Sequence, residues 1–201
     1  MEINEIRIKS EGYVFCKSSF YSVCDILTNQ EFCLNRGINI LSGEIDSGVF
    51  GISYMLSMYD KIDLKNNFFT TEIFVNGTSM ALSELTKYSC YLDQSYCMFS
   101  SKKPVNKLVM QALVKSGISY SPNEICNMFQ ISDFRFERPI DATGNERFKA
   151  MAAIAFSNGK QVFCFPWLSK MRYNSFNKHM ISLMDTLTSQ GKIVVLPIGE
   201  N

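Results

Sequence analysis

"LSGEIDSGVFGISYML" (residues 41–56) decides how the chain is to be read. It has the outline of a loop that cradles phosphate. A strand enters at Leu41, Gly43, Ser47 and Gly48 supply a tight turn, and Ile52, Met55, Leu56 and Tyr59 recur at the spacing of a helix burying one face. Yet Val49 and Phe50 stand where such a loop carries the lysine that ties down phosphate and the hydroxyl that holds magnesium. Glu44 and Asp46 add negative charge to the loop. Two readings of these residues stand side by side: a phosphate loop that has lost its chemistry, or a strand-to-helix turn whose glycines serve the turn and whose Phe50 serves the core.

Outward from this stretch the pattern is strand, loop, helix. Upstream, residues 4–8, 13–16 and 31–34 alternate like short strands, and Arg36-Gly37 marks a turn before "INILSG". Downstream, "TEIFVNGTSMAL" is a hairpin turning at Asn76-Gly77, and "YSCYLDQSY" (88–96) is a strand running into a loop. Pro104 opens a helical period that lasts to about residue 158 and includes the alanine-rich "NERFKAMAAIAFSNG". The chain then returns to buried strands at 161–165 and 192–197, with a helix expected between them over 174–189. A parallel sheet with helices, carrying a helical insertion, is the architecture that this order predicts.

Composition narrows the function classes. The 201 residues suit one domain with a real core, and 20 Lys plus Arg against 19 Asp plus Glu, scattered along the chain, lack the basic footprint of a nucleic-acid binder. No stretch reaches the roughly 18 apolar residues of a membrane span, and "MEINEIRIKSEGY" lacks the pattern of a signal peptide, so a cytoplasmic protein is expected. Seven cysteines without a C-x-x-C pair and a single His179 point away from zinc and disulfides and toward small buried hydrophobes.

Taken together, the landmarks resemble the nucleotide-binding domain of ATP-binding cassette (ABC) transporters along almost the whole chain. The phosphate loop of that family is similar to "GEIDSGVF" (43–50), its hairpin to 72–85, its glutamine loop to "YLDQ" (91–94) and the start of its helical subdomain to 102–113. Its signature sequence and following helix are similar to "ATGNERFKAMAAIA" (142–155), its Walker B strand to 159–167, and the strand before its switch histidine to "GKIVVLP" (191–197). The resemblance implies one α/β domain over 1–201, with a P-loop NTPase-like core sheet, an N-terminal β subdomain and an inserted helical subdomain at about 100–158.

The departures from the family fall on the chemistry. Phe165, Pro166 and Trp167 occupy the Walker B acids' places, Pro197 or its neighbours that of the switch histidine, and Gln94 has no metal to serve. Thr143, Gly144, Asn145 and Glu146 retain a hydroxyl and a glycine at the signature, though an ordinary helix N-cap at Thr143 explains them equally well. Tyr13, Phe20 and Tyr21 are candidates for the aromatic that the family stacks on adenine, with a place in the core as the alternative. The resemblance thus implies a degenerate cassette that does not hydrolyse ATP by itself and works as a structural or regulatory subunit. Its expected partners are a membrane permease and an active ABC ATPase, in a homodimer or heterodimer; ATP is the one cofactor candidate, and attachment to the membrane is peripheral, through the permease. The alternatives are an ATPase subunit completing a composite site with its partner, and a module repurposed to bind a protein or peptide.

Overall fold

Inward Ile6, Ile8, Val14 and Cys16 alternate with outward charged and aromatic residues, and this period makes Glu5–Lys17 one long strand, β1, in the computed structural model of the chain. Residues 1–19, 21–93, 102–176 and 178–200 are described. The sequence predicts two strands here; one continues through Gly12 because that residue adopts φ +118° beneath a neighbouring strand, where a Cβ would lie 2.1 Å from the carbonyl oxygen of Phe68. β1 pairs with β2 (Ser22–Asn35) on one side and with β4 (Phe68–Val75) on the other, all antiparallel, with a register shift between Lys9 and Glu11. The hairpin to β5 (Thr78–Ser79) turns at Asn76 and Gly77, both at positive φ as a tight two-residue turn requires.

The second sheet is parallel, in the order β3 (Gly37–Ser42), β8 (Ile193–Ile198), β7 (Val162–Cys164), β6 (Ser89–Tyr91). β6, β7 and β8 are buried throughout, as continuous apolar runs in a covered parallel sheet should be. Helix α1 (Val49–Met58) lies between the two sheets. All ten of its residues are buried, not one face only, because β1 and β2 cover the side that β6, β7 and β8 leave free.

A short α2 (Leu82–Leu85) precedes β6. Between β6 and β7 run α3 (Val105–Ser116), α4 (Pro122–Met128), α5 (Asp133–Phe136) and α6 (Arg147–Ser157). Gly117 ends α3 in the left-handed region, and Ser121 with Glu124 forms a capping box at the start of α4. The expected helix over 174–189 is two: Ser169 accepts a hydrogen bond from the Arg172 amide and starts α7 (Lys170–Asn174) early, and α8 (Lys178–Ser189) follows. Ile154, Leu183 and Leu187 share an apolar cluster with Phe163 and Val194 of the sheet, whereas Ile8, Val14, Leu27, Phe50 and Met55 fill a second one between the sheets. Among the described residues no helix is long and apolar enough to cross a membrane.

Candidate functional site

Parallel strands β3, β7 and β8 end at Ser42, Cys164 and Ile198, so the loops that follow them gather at one edge of the sheet, where open α/β folds bind ligands. Residues 43–48 form the first of these loops. Ser47 Oγ donates to the Glu44 carbonyl at 2.6 Å, closing the turn, and a side chain on Gly43 would collide with Ser47 Oγ. Asp46 holds φ +82°, the left-handed conformation that glycine adopts without strain, so the loop keeps its turn at a cost of about 1 kcal/mol. Gly48 precedes the helix at φ +90°, and a Cβ there would sit 2.9 Å from the carbonyl oxygen of Ile26. Val49 and Phe50 point into the core, 3% and 0% exposed.

The helix terminus behind this loop has an occupant that the sequence reading missed. Asp25, an inward position of β2, is fully buried, and its Oδ1 accepts the Gly48 N–H at 3.1 Å while Oδ2 accepts the Gly51 N–H at 2.5 Å. A helix leaves its first N–H groups unpaired and carries partial positive charge there, which is why anions bind such ends. Here the anion is supplied by the chain itself. Gly51 makes the approach feasible: a Cβ would come within 2.8 Å of Leu27 Cδ2 and 2.9 Å of Val14 Cγ1. Burial pushes the Asp25 carboxyl above its ordinary value, against the hydrogen bonds from Gly51 and Gly48 that pull it down. A sequence signal exists, since between Val23 and Leu27 one acid interrupts the inward row of a strand, and that same break masks the strand's period.

The second and third loops close over the first. Phe165, Pro166 and Trp167 are all buried, and the Phe165 carbonyl accepts a hydrogen bond from Ser53 Oγ of α1 at 2.6 Å. Trp167 donates Nε1–H to the Gly43 carbonyl at 2.9 Å, meets the Tyr21 ring edge-on at 5.2 Å, and lies so close to Gly199 that a Cβ there would be 2.6 Å from its ring. Glu200, just beyond β8, donates its N–H to Glu44 Oε1 at 3.0 Å. Of the aromatic candidates, Tyr21 is therefore brought to the loop, whereas Tyr13 lies on the outer face of its sheet near Phe15 and Phe68, and Phe20 lies outside the described residues. Gln94 also lies outside them; Asp93, the last described residue before it, accepts hydrogen bonds from Ser19 N and Oγ.

The signature-like stretch is separate. Thr143 does not cap a helix: its backbone is helical and its hydroxyl donates back to the Ile140 carbonyl at 2.6 Å, because a 3-10 turn over 140–142 brings that oxygen within reach. Glu146 is buried, accepting from Ser132 N at 3.0 Å and Oγ at 3.1 Å and pairing with Arg135 at 3.2 Å. Asn145 accepts from Arg135 and meets His179 Nε2 at 3.1 Å, so His179 is a packing partner of this turn. Gly144, at φ +57°, and Asn145 are exposed. Among the described residues no group of three or more His, Cys, Asp or Glu side chains is placed to hold a metal ion.

No protein-family model matches the chain, and no curated protein matches its sequence. Solved structures do match its fold. A putative ABC transporter ATP-binding protein from Pyrococcus furiosus is similar over 98% of this chain and 92% of its own, with a TM-score of 0.61 and 12% identity. The ATP-binding cassette MJ0796, a dimer in a post-hydrolysis state bound to ADP and Pi, is similar over 98% and 88%, with a TM-score of 0.59 and 13% identity. A bacterial Atm1-family ABC exporter with ATP bound gives a TM-score of 0.57 at 11% identity over 99% of this chain, which spans only 35% of that exporter's chain. The chain has the fold of an ABC ATPase cassette, with its P-loop NTPase-like core.

Proposed function

We propose that this chain, built on the cassette fold, does not hydrolyse ATP through its own residues and serves as a structural or regulatory subunit of a transporter-like complex. One observation carries the reading: the Asp25 carboxylate already accepts the Gly48 and Gly51 N–H groups at the start of α1. A triphosphate seated there would find both amides taken and, wherever the carboxyl is ionised, would meet a like charge at about 4 Å, worth roughly 4 kcal/mol at an effective dielectric constant of about 20. The helix end returns at most about 2 kcal/mol per charge in a buried setting, so repulsion wins.

The other loop residues do not fit magnesium and triphosphate either. Val49 and Phe50 offer neither ammonium nor hydroxyl, and both are buried against the sheets. Phe165, Pro166 and Trp167 offer no carboxylate to a metal or to water, and Trp167 closes the space between Gly43 and Gly199. Phosphoryl transfer needs those groups in place, so no step of it is assigned to this chain. One domain over 1–201 with a helical subdomain at about 100–158 belongs to the same proposal. The dimeric MJ0796 cassette and the Atm1-family exporter support a dimer, with itself or with an active cassette, and a permease partner that would hold the chain at the membrane.

A second reading is favoured by the exposed Gly144 and Asn145 beside the start of α6: the signature-like stretch completes an active partner's site. Titration calorimetry with MgATP and a phosphate-release assay test the first reading, which expects neither saturable heat nor turnover from the isolated chain. Micromolar binding with steady turnover would sink it. For the second, Gly144→Asp is expected to depress the ATPase rate of a co-purified partner, and an unchanged rate removes the composite site.

A further inference from the structure

About 15 Å along α1 from the loop, at the helix's other end, the chain forms a cleft of about 920 Å³. That volume is at the upper end of the roughly 300–1,000 Å³ of small-molecule sites. Its floor is apolar: Tyr54 and Met58 from the last turns of α1, Ile62 after it, and the ring of Phe15, which is 46% exposed. Its wall carries four lysines, Lys17, Lys61, Lys87 and Lys160, against two aspartates, Asp60 and Asp63.

These groups are not equivalent. Asp63 is spent on its own loop, accepting from Lys65 N at 3.0 Å and Asn66 Nδ2 at 2.6 Å. Lys160 is spent on the wall, donating to the Lys87 carbonyl at 2.6 Å, and burial lowers its pKa. Lys17, Lys61 and Lys87 are exposed at the rim. The rim is fixed as well, because Asn67 ties the 62–67 loop to β1 by accepting the Phe15 N–H at 2.6 Å and donating to the Asp63 carbonyl at 2.6 Å. A preformed apolar floor beneath a surplus of positive charge selects a ligand with both characters. From Phe15 the apolar surface continues over Tyr13 to Phe68, whose rings lie 6.3 and 6.5 Å apart in turn, giving room for a tail.

We propose that this cleft binds an amphipathic organic anion, its acidic head among Lys17, Lys61 and Lys87 and its apolar body on Tyr54, Met58 and Ile62. The site is independent of the nucleotide loop, so it stands or falls apart from the function proposed above. The rival role for the lysines is simply to complement the negative C-terminal end of α1.

The probe is 1-anilinonaphthalene-8-sulfonate, titrated into the intact chain by fluorescence and calorimetry, with decanoate and decanol as competitors. Saturable one-site binding is expected, displaced by decanoate and not by decanol at equal concentration. Lys61→Glu with Lys87→Glu is expected to weaken it at least about tenfold, with Lys9→Glu, in the interior of β1 and outside the cleft lining, as an unaffected control. Should the double variant fail to fold, Lys61→Met and Lys87→Met singly are each expected to weaken binding about threefold. Methyl NMR should shift at Met58 and Ile62. Non-saturable binding, equal displacement by decanol, shifts elsewhere, or an affinity indifferent to the lysines would overturn the site and leave the lysines their helix-end role.

Discussion

Asp25→Ala strips the acceptor from the Gly48 and Gly51 N–H groups, at 3.1 and 2.5 Å, in a place without water access. Each buried amide left unpaired costs roughly 1–3 kcal/mol, and part is returned because a buried charge disappears, so a net loss of roughly 2–4 kcal/mol is expected. Asp25→Asn keeps one acceptor but turns an NH₂ group toward the other amide, so roughly 1–3 kcal/mol is expected. The pH dependence has a definite sign. Desolvation raises the Asp25 pKa, so the folded chain holds that proton more readily than the unfolded chain. The stability that follows is fully present at acid pH and is lost as pH rises from the ordinary carboxylate value of about 3.9 through the raised one. Asparagine does not titrate, so the advantage of the wild-type chain over Asp25→Asn should narrow upward through that window. Urea unfolding followed by Trp167 fluorescence and far-ultraviolet circular dichroism, from about pH 4 to pH 7, measures both effects. An Asp25→Ala chain within about 0.5 kcal/mol of wild type, or an advantage that widens with pH, would show that the buried carboxyl does not hold these amides in this way.

Restoring the missing phosphate-loop residues by Val49→Lys and Phe50→Thr should not create an ATPase; it buries an ammonium among apolar groups and is expected to cost roughly 3 kcal/mol or more by urea unfolding. Phe50→Ala alone, at a site 0% exposed, is expected to cost about 3–5 kcal/mol. Trp167→Phe keeps most of the packing and loses the bond to the Gly43 carbonyl, a loss of about 1 kcal/mol readable in the circular-dichroism melt. In thiol labelling, the exposed Cys24 and Cys33 should react in the native state, whereas Cys164, whose thiol burial pushes up to about 12, should wait for urea.

What could be read ahead of the structure was what local periodicity encodes. The Asn76-Gly77 turn, the buried runs of β7 and β8 and the helical period of α6 are local signals, and each stands in the structure. β2 was legible only in its last residues, because its inner row is broken by Asp25 and its middle by Asn29, at φ +59°. The same break hid the main feature of the loop, whose meaning depends on Gly51, 26 residues away in sequence. The burial of α1 on every side was equally out of reach: it comes from a second sheet folding over the helix, and such a cover leaves no mark on the helix's own period. Thr143 shows the same limit, since its hydroxyl goes to Ile140 rather than forward to a helix.

The amides at the start of α1 are already occupied by the Asp25 carboxyl, and that occupancy can be measured. Residue-resolved hydrogen exchange of Gly48 and Gly51, measured by NMR with and without millimolar MgATP, reads it directly. Both amides should be protected in the wild-type chain without nucleotide and unchanged by MgATP, and both should lose protection in Asp25→Ala. Amides that exchange freely until MgATP is added, and then become protected, would contradict it.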